Sequence, residues 1–445
     1  MNHNSEQAVD GRTSDSDRPT LAASDLAHAA HQFGTPLLVI DEPRLRSTMR
    51  RFRAAFVRDG WRCDVAYAAK ALGLTAIADI AHSEGLALDV CSEGELQAAL
   101  QAHVPASRCL LHGCAKTDRE LSLAVRSGVG YIVLDHHLEI ESVARLAAVS
   151  GAPTPVLVRI NVGVAAHTRS QVQTSALESK FGFPVTDGQA LRAIRTVREH
   201  PALEFRGIHC HIGSQIIDLV SYSEEIERLV DFASQLELEY GVQCSVINVG
   251  GGLGISAEDE RGAPTPEAWA QVIYEALERT FTASALSRPQ LMIEPGRAIV
   301  ARAGTTLYTI VVRKRLGTGN TVLIVDGGMS DNPRPALYDA TYPVRLLGRP
   351  SSHSDARYTV FGRHCESDVL FRDVPLDDPL PGDVLEVTGT GAYTYSMASN
   401  YNRFPRPAVV LADGERFRLI ARRESLQHLL DLDVIDEPSP GVDHT

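Results

Sequence analysis

The sequence predicts an α/β protein, a (β/α)₈ TIM barrel joined to a C-terminal all-β domain, and three observations carry that expectation. From about residue 60 to 300, short β-branched runs alternate with amphipathic helical stretches, the pattern of strands crossed over by helices. After Ala303 the strands follow one another with turns rather than long helices between them. The polar and glycine-rich segments fall just past the ends of the proposed strands. A closed barrel gathers those ends on one face, whereas a doubly wound open sheet would split them between two edges.

In chain order, residues 1–20, rich in Asn, Ser, Asp and Gly, read as a disordered tail. Pro36–Asp41 reads as a strand that could join either unit. The barrel is expected over 42–302, with strands at Cys63–Ala68, Ala87–Cys91, Cys109–His112, Tyr131–Leu134, Pro155–Asn161, Phe205–His211, Ser245–Val249 and Leu291–Glu294. Eight strands within ~250 residues suit that fold. Apolar residues at helical spacing mark helices, as in Gly94–Leu100 and Tyr222–Leu238. The β domain is expected over 21–41 plus 303–432, with strands at Thr306–Lys314, Thr321–Val325, Tyr358–Gly362, Val384–Gly389, Ala408–Leu411 and Phe417–Arg422. Gly317–Asn320 and Pro381–Asp383 are its turns, Ser351–Ala356 an exposed loop, and 433–445 a C-terminal tail.

A chain of 445 residues exceeds one ordinary core. Its formal charge of −13 argues against nucleic acid or an anionic membrane as main partner. No run reaches the roughly 18 apolar residues that span a bilayer, and the N-terminus lacks the apolar stretch of a signal peptide. Seven scattered cysteines without a C-x-x-C pair fit reduced thiols and a cytoplasmic location.

Lys70 follows the first barrel strand, flanked by Ala68, Ala69 and Ala71. Desolvation there would lower its pKa and free its amine for Schiff-base chemistry; a lysine snorkelling from a strand end is the alternative. Gly250-Gly251-Gly252-Leu253-Gly254 follows the seventh strand. Its N–H groups could turn inward to hold a phosphate, or the run could be only a tight turn. Glu294 ends the apolar run Leu291–Ile293 and, once buried, needs a cation: a pyridinium nitrogen, or Arg297 three residues on.

His209 and His211 share one strand face. They could stack on a flat cofactor, sit satisfied in the core, or form half a metal site. No matching carboxylate or third histidine is evident, so no metal is expected. Arg334 and Tyr338 are four apart, on one face if that stretch is helical, and a guanidinium suits a substrate carboxylate. Cys365 is either a reactive thiol or a small buried hydrophobe.

The ordered motifs Tyr67-Ala68-Ala69-Lys70-Ala71, Asp89-Val90-Cys91-Ser92-Glu93-Gly94-Glu95-Leu96, Ala166-His167-Thr168, Ser179-Lys180-Phe181-Gly182, His209-Cys210-His211-Ile212-Gly213-Ser214-Gln215, the glycine run, Glu294-Pro295-Gly296-Arg297, Asp326-Gly327-Gly328-Met329, Cys365-Glu366-Ser367 and Gly391-Ala392-Tyr393 extend over most of the chain. Through them the chain resembles the diaminopimelate decarboxylases. These belong to the alanine-racemase-like, fold-type-III pyridoxal 5′-phosphate (PLP) enzymes, which also include ornithine decarboxylases.

The resemblance implies PLP as cofactor, bound covalently by Lys70 and surrounded by Asp89, His211, Ser214, Gly250, Gly251, Gly252, Glu294, Gly296, Arg297 and Tyr393. It implies substrate binding by Arg297, Arg334, Tyr338, Glu366 and Tyr393, and catalysis by Lys70, Cys365 and Glu366. Cys365 and Glu366 would come from the second subunit of a head-to-tail homodimer with shared active sites. The implied reaction converts a small amino-acid substrate, meso-2,6-diaminopimelate, to L-lysine and CO₂, the last step of lysine biosynthesis. A sister decarboxylase of another amino acid or carrier-bound aminoacyl group is the alternative. A non-catalytic regulator should have lost Lys70 or Cys365, and both are present.

Three segments depart from the pattern: Leu72 where an aromatic or Asn is common, Cys114-Ala115 where Asn-Asn is usual, and a Cys365–Asp368 segment one residue short.

Overall fold

The computed structural model describes residues 21–164, 179–256, 262–282, 287–349 and 355–435. The Ala166–Thr168 motif, the N-terminal tail and most of the 351–356 loop lie outside these residues. A first helix α1 (Ala23–Phe33) leads into β1 (Leu37–Asp41), and a β/α alternation follows. It runs α2 (Glu42–Ala55), β2 (Cys63–Ala68), α3 (Thr75–Ser83), β3 (Ala87–Val90), α4 (Glu93–Gln101), β4 (Cys109–Leu111), α5 (Asp118–Ser127), β5 (Tyr131–Leu134), α6 (His137–Ser150) and β6 (Thr154–Asn161). The two-residue β7 (Phe183–Pro184), α7 (Gln189–Glu199), β8 (Leu203–His209), α8 (Val220–Tyr240), β9 (Val246–Asn248), α9 (Pro266–Thr282) and β10 (Gln290–Ile293) complete it.

Strands β2, β3, β4, β5, β6, β8, β9 and β10 pair in parallel in that order. β10 returns to β2 with Leu291 opposite Cys63, which closes the barrel. Local chemistry sets the helix ends: Ser92 caps α4 by accepting the Glu95 N–H. Thr117 and Glu120 form a capping box on α5, which stops at the left-handed Gly128.

The barrel interior holds a cluster of its own, with Ala66, Ala87, Leu110, Val133, Leu157, Val246 and Met292 each from a different strand. Outward strand residues such as Val65, Leu88 and Leu111 belong to a larger apolar cluster that also takes in the helical shell, Tyr222 and Trp269 included. Side chains alternate along a strand, so positions 68, 89, 112, 135, 159, 209, 248 and 294 face the same interior at the C-terminal rim. Those positions hold Ala68, Asp89, His112, Asp135, Arg159, His209, Asn248 and Glu294. One small residue and seven polar ones thus sit above an apolar layer.

Past β10, α10 (Arg297–Val300) leads into the β domain. It comprises β11 (Gly304–Arg315), β12 (Thr321–Val325), α11 (Arg334–Tyr338), β13 (Val344–Leu346), β14 (Arg357–Phe361), β15 (Val369–Pro375), β16 (Val384–Thr388), β17 (Ala408–Asp413), β18 (Arg416–Ala421) and α12 (Leu426–Leu430). The main path is β15-β14-β12-β11-β1-β17-β18, with β16 also on β11 and β13 on β16. β1 therefore joins this sheet, antiparallel to β11 and parallel to β17.

β13 and β15 have no counterpart among the sequence-predicted strands. β13 is three residues long, and the Arg372-Asp373 pair interrupts the apolar pattern of β15 where Asp373 takes a positive φ.

Candidate active site

The expected barrel strands ran through Cys91, His112, His211 and Glu294, but the structure ends them one or two residues earlier. These residues leave the ladder at the rim, where side chains meet rather than pair with a neighbouring strand. His209 and His211 accordingly do different things. His209, the last residue of β8, is buried and its Nε2 lies 3.2 Å from Glu294 Oε2. His211, beyond the strand end, accepts the Gly251 N–H at Nδ1 (3.2 Å).

Lys70 sits in the short 3₁₀ turn that follows β2, and its Nζ is 2.6 Å from Asp89 Oδ2. The pKa direction expected from sequence is reversed. Burial pushes the ammonium down, but Asp89, then Cys91, Tyr393 and Glu294, outweigh it and hold Lys70 well above the usual lysine range. Asp89 is 19 residues away in sequence, and the parallel pairing of β2 with β3, which sets Ala68 opposite Asp89, brings it to Lys70.

Glu294 is buried, and no Lys or Arg among the described residues pairs with it. Arg297, the alternative partner, instead donates to Ser214 Oγ (3.1 Å) and lies over the Tyr393 ring at 4.6 Å. Glu294 is held by Asn248 Nδ2 (2.7 Å) and His209, with His112 Nε2 at 2.8 Å from Oε1. Burial alone would raise this carboxyl, yet its polar neighbours keep it ionised well below the usual range. Burial in turn pushes His209 down to about 4, so it stays neutral and donates from Nε2.

The donor atoms of His112, His209 and Glu294 fall within 4.8 Å of one another. A carboxylate and a third histidine, His112, are therefore present in space beside His209, whereas His211 is not part of the group. Two tetrahedral ligands ~2.1 Å from zinc stand ~3.4 Å apart; the 2.8 Å contact here is that of groups touching each other directly.

The glycine run also differs from the expected nest. The Gly250 N–H donates to Asn248 Oδ1 (2.9 Å) and that of Gly251 to His211. Two of the three amides are thus committed before any ligand arrives. The run is nevertheless obligatory. A methyl group at Gly251 would run into the Glu294 carbonyl, and one at Gly252 into that of Gly213.

A cavity of about 400 Å³ opens above this rim. Lys70, His211, Ser214, Gly251, Gly252, Glu294, Gly296 and Arg297 line it from the barrel, and Arg334, Tyr338 and Tyr393 from the β domain. Arg334 and Tyr338 do share a face of α11, the guanidinium 5.1 Å from the Tyr338 ring and 5.7 Å from that of Tyr393. The lining also includes His112, Cys114, Arg159, Lys180 and Phe181, none chosen as a site residue from sequence.

Cys365 and Glu366 are exposed and do not line this cavity. They occupy a loop braced by His364 Nδ1 against Asp368 Oδ2 (2.7 Å) and by the Tyr401 hydroxyl donating to Glu366 (2.7 Å). Glu366 instead borders a second cavity on the far side of α11.

Residues 43–301 match the family described as pyridoxal-dependent decarboxylase, pyridoxal binding domain. The chain belongs to the pyridoxal-dependent decarboxylases. It is 43% identical over 424 residues to a diaminopimelate decarboxylase of Mycobacterium leprae, covering 93% of this chain and 89% of that one. It is 39% identical over 416 residues to that of Bacillus subtilis, covering 93% and 94%. Among solved structures, the M. jannaschii diaminopimelate decarboxylase with L-lysine superposes with a TM-score of 0.86 at 32% identity, covering 92% of this chain and 94% of that one. The Helicobacter pylori enzyme with L-lysine gives 0.84 at 29%, covering 92% and 98%.

PLP is therefore the cofactor of this decarboxylase, and the cavity fits it. The volume accommodates a cofactor with an amino acid. One wall offers an amine, and the floor carries a buried carboxylate that no Lys or Arg among the described residues partners, the complement of a pyridinium.

Proposed function

We propose that the chain decarboxylates meso-2,6-diaminopimelate to L-lysine and CO₂ as a cytoplasmic homodimer. Residues 42–302 hold the cofactor, and 21–41 with 303–432 complete the site. One observation carries this reading: a single cavity combines the Lys70–Asp89 pair, the Glu294 anion and a two-guanidinium cluster around Tyr393.

PLP bound at Lys70 supplies the electron sink for the pair left behind as CO₂ departs. Asp89 at 2.6 Å would hold and orient the Lys70 amine where the cofactor binds. Glu294 would keep a proton on the ring nitrogen, and His211, oriented by the Gly251 N–H, would offer its face to the ring. Ser214, Gly250, Gly251, Gly252, Gly296, Arg297 and Tyr393 would hold the phosphate. Arg297, Arg334, Tyr338 and Tyr393 receive the distal end of a substrate bearing a second carboxylate.

Cys365, exposed on a braced loop, delivers a proton to Cα in the site of a second copy, and Glu366 beside it takes the distal ammonium. All seven cysteines are free, as a reducing compartment keeps them, and no described helix is long and apolar enough to cross a membrane.

The test is a substrate screen on PLP-loaded protein. CO₂ and L-lysine in equal amounts from meso-diaminopimelate are expected; release of CO₂ from a different amino acid alone refutes the substrate assignment. Borohydride trapping should label the Lys70 peptide and no other.

A further inference from the structure

The glycine loop and the Glu294 carboxylate hold opposite ends of the cofactor in the reading above, and a single side chain touches both. Asn248 is the last residue of β9 and has no exposed surface. Its Nδ2 donates to Glu294 Oε1 at 2.7 Å, and its Oδ1 accepts the Gly250 N–H at 2.9 Å. An amide carries a donor and an acceptor on one planar group, so the two contacts cannot be adjusted separately. A further backbone bond, Glu294 N–H to Gly250 O at 2.6 Å, joins the same two segments.

The second oxygen of Glu294 has its own support in His209. The Nδ1 of His209 is buried without a partner. An imidazolium would strand a charged N–H there, so the ring is neutral with its proton on Nε2, aimed at Glu294. Neither Asn248 nor His209 is the covalent lysine, the stacking histidine or a substrate-end group.

We propose that Asn248, supported by His209, is a positioning residue. It fixes the Glu294 carboxylate toward the cofactor's ring nitrogen and ties that anchor to the glycine loop at the phosphate end. A donor held at 2.7 Å on one oxygen leaves the carboxylate no rotation that keeps its partners. The lone pair offered to the ring therefore has a set direction before the cofactor binds. This inference rests on the PLP reading above.

The experiment compares two ligands on the full-length protein: PLP, and its analogue with the ring nitrogen replaced by carbon. Dissociation constants are measured by absorbance titration, independently of turnover. The native chain should prefer PLP by a definite factor, and Glu294→Ala sets the value of that factor when the anchor is gone. In Asn248→Ala the preference should fall about tenfold or more toward the Glu294→Ala value, since a hydrogen bond to a charged group is worth roughly that much.

A merely structural Asn248 would weaken both ligands equally and leave the preference unchanged, which overturns the proposal. If Asn248→Ala does not fold, His209→Leu carries the same comparison. His209→Gln, which retains a donor near the Nε2 position, should restore the preference. Failure of the native chain to bind PLP at all would instead remove the cofactor reading, a separate result.

Discussion

Glu225, on α8, is a test of how the barrel wall behind the site is built. It has no exposed surface, and no nitrogen or oxygen donor reaches either carboxylate oxygen. The Cys210 thiol, between His209 and His211 in sequence, lies against it. Burial pushes the carboxyl up to about 8, against a smaller pull downward from Cys210. Below about pH 8 the native chain keeps this proton, whereas the unfolded chain releases it near 4.3. Between those values the native state binds more protons, so stability falls as pH rises. The associated stability is complete below about pH 4.3 and lost by about pH 8.

Each pH unit in that window is worth about 1.4 kcal/mol, so about 4 kcal/mol is gone by pH 7 and about 5 above pH 8. Glu225→Gln preserves the shape and removes the titration. A chain of 445 residues unfolds with an entropy near 0.9 kcal/mol/K. The variant should therefore gain about 4 °C in Tm over the native chain at pH 7, about 5 °C at pH 8.5 and about 1 °C at pH 5. Calorimetry at the three pH values decides it. A gap that does not change with pH, or one that favours the native chain increasingly with pH, refutes the reasoning.

Lys116 is a buried cation whose ammonium meets Glu139 (2.9 Å) and the carbonyls of Gly113 (2.8 Å) and Val133 (2.7 Å). Lys116→Met should destabilise by about 3–5 kcal/mol, because it strands the Glu139 charge; a denaturant midpoint close to native would contradict this. Gly251→Ala drives a methyl group into the Glu294 carbonyl and should lower PLP affinity about a hundredfold, read by absorbance titration, with helix content unchanged. Lys70→Ala and Cys365→Ala should each be inactive. If active sites are shared, mixing equal amounts through dissociation and reassembly should return about a quarter of native activity, because half the dimers then hold one intact site. No recovery would place Cys365 and Lys70 within one chain.

The barrel was legible because its strands are short and β-branched and its unusual residues fall at regular places. Lys70, the glycine run and Glu294 stand out because each breaks its local pattern. The pKa direction of Lys70 was not legible, because burial can be guessed from Ala68, Ala69 and Ala71 whereas Asp89 arrives only through strand pairing. The use of the Gly250 and Gly251 amides was likewise hidden, since their acceptors are side chains of β9 and of the segment after β8. Cys365 looked like a small hydrophobe as readily as a thiol. Its exposure comes from the brace between His364 and Asp368, four residues apart.

His112, Arg159 and Asn248 were missed for a different reason: each is ordinary in its local sequence. Their signal is positional, two residues beyond Leu110, Leu157 and Val246 of the barrel interior. A strand's inward face repeats every second residue, and a small barrel must fill its interior with apolar side chains below the functional end. The next inward residue on each strand is then the first that can meet a ligand. Applied around the barrel, this rule yields Ala68, Asp89, His112, Asp135, Arg159, His209, Asn248 and Glu294 with no knowledge of the reaction.

Such a ring is tolerated in the interior only if its charged members find partners, and they do so through Lys70 with Asp89, Arg159 with Asp135, and Glu294 with Asn248 and His209. Among Lys, Arg, Asp and Glu, three carboxylates of this layer face the two cations Lys70 and Arg159. The excess negative charge resides on Glu294, the one carboxylate of the ring without a Lys or Arg partner among the described residues. On the proposed placement of the ring nitrogen at Glu294, a cationic ring adds to the support this carboxylate already has from Asn248, His209 and His112. With the ring nitrogen placed there as proposed, the layer would favour the protonated cofactor, the form able to accept the electrons that decarboxylation releases.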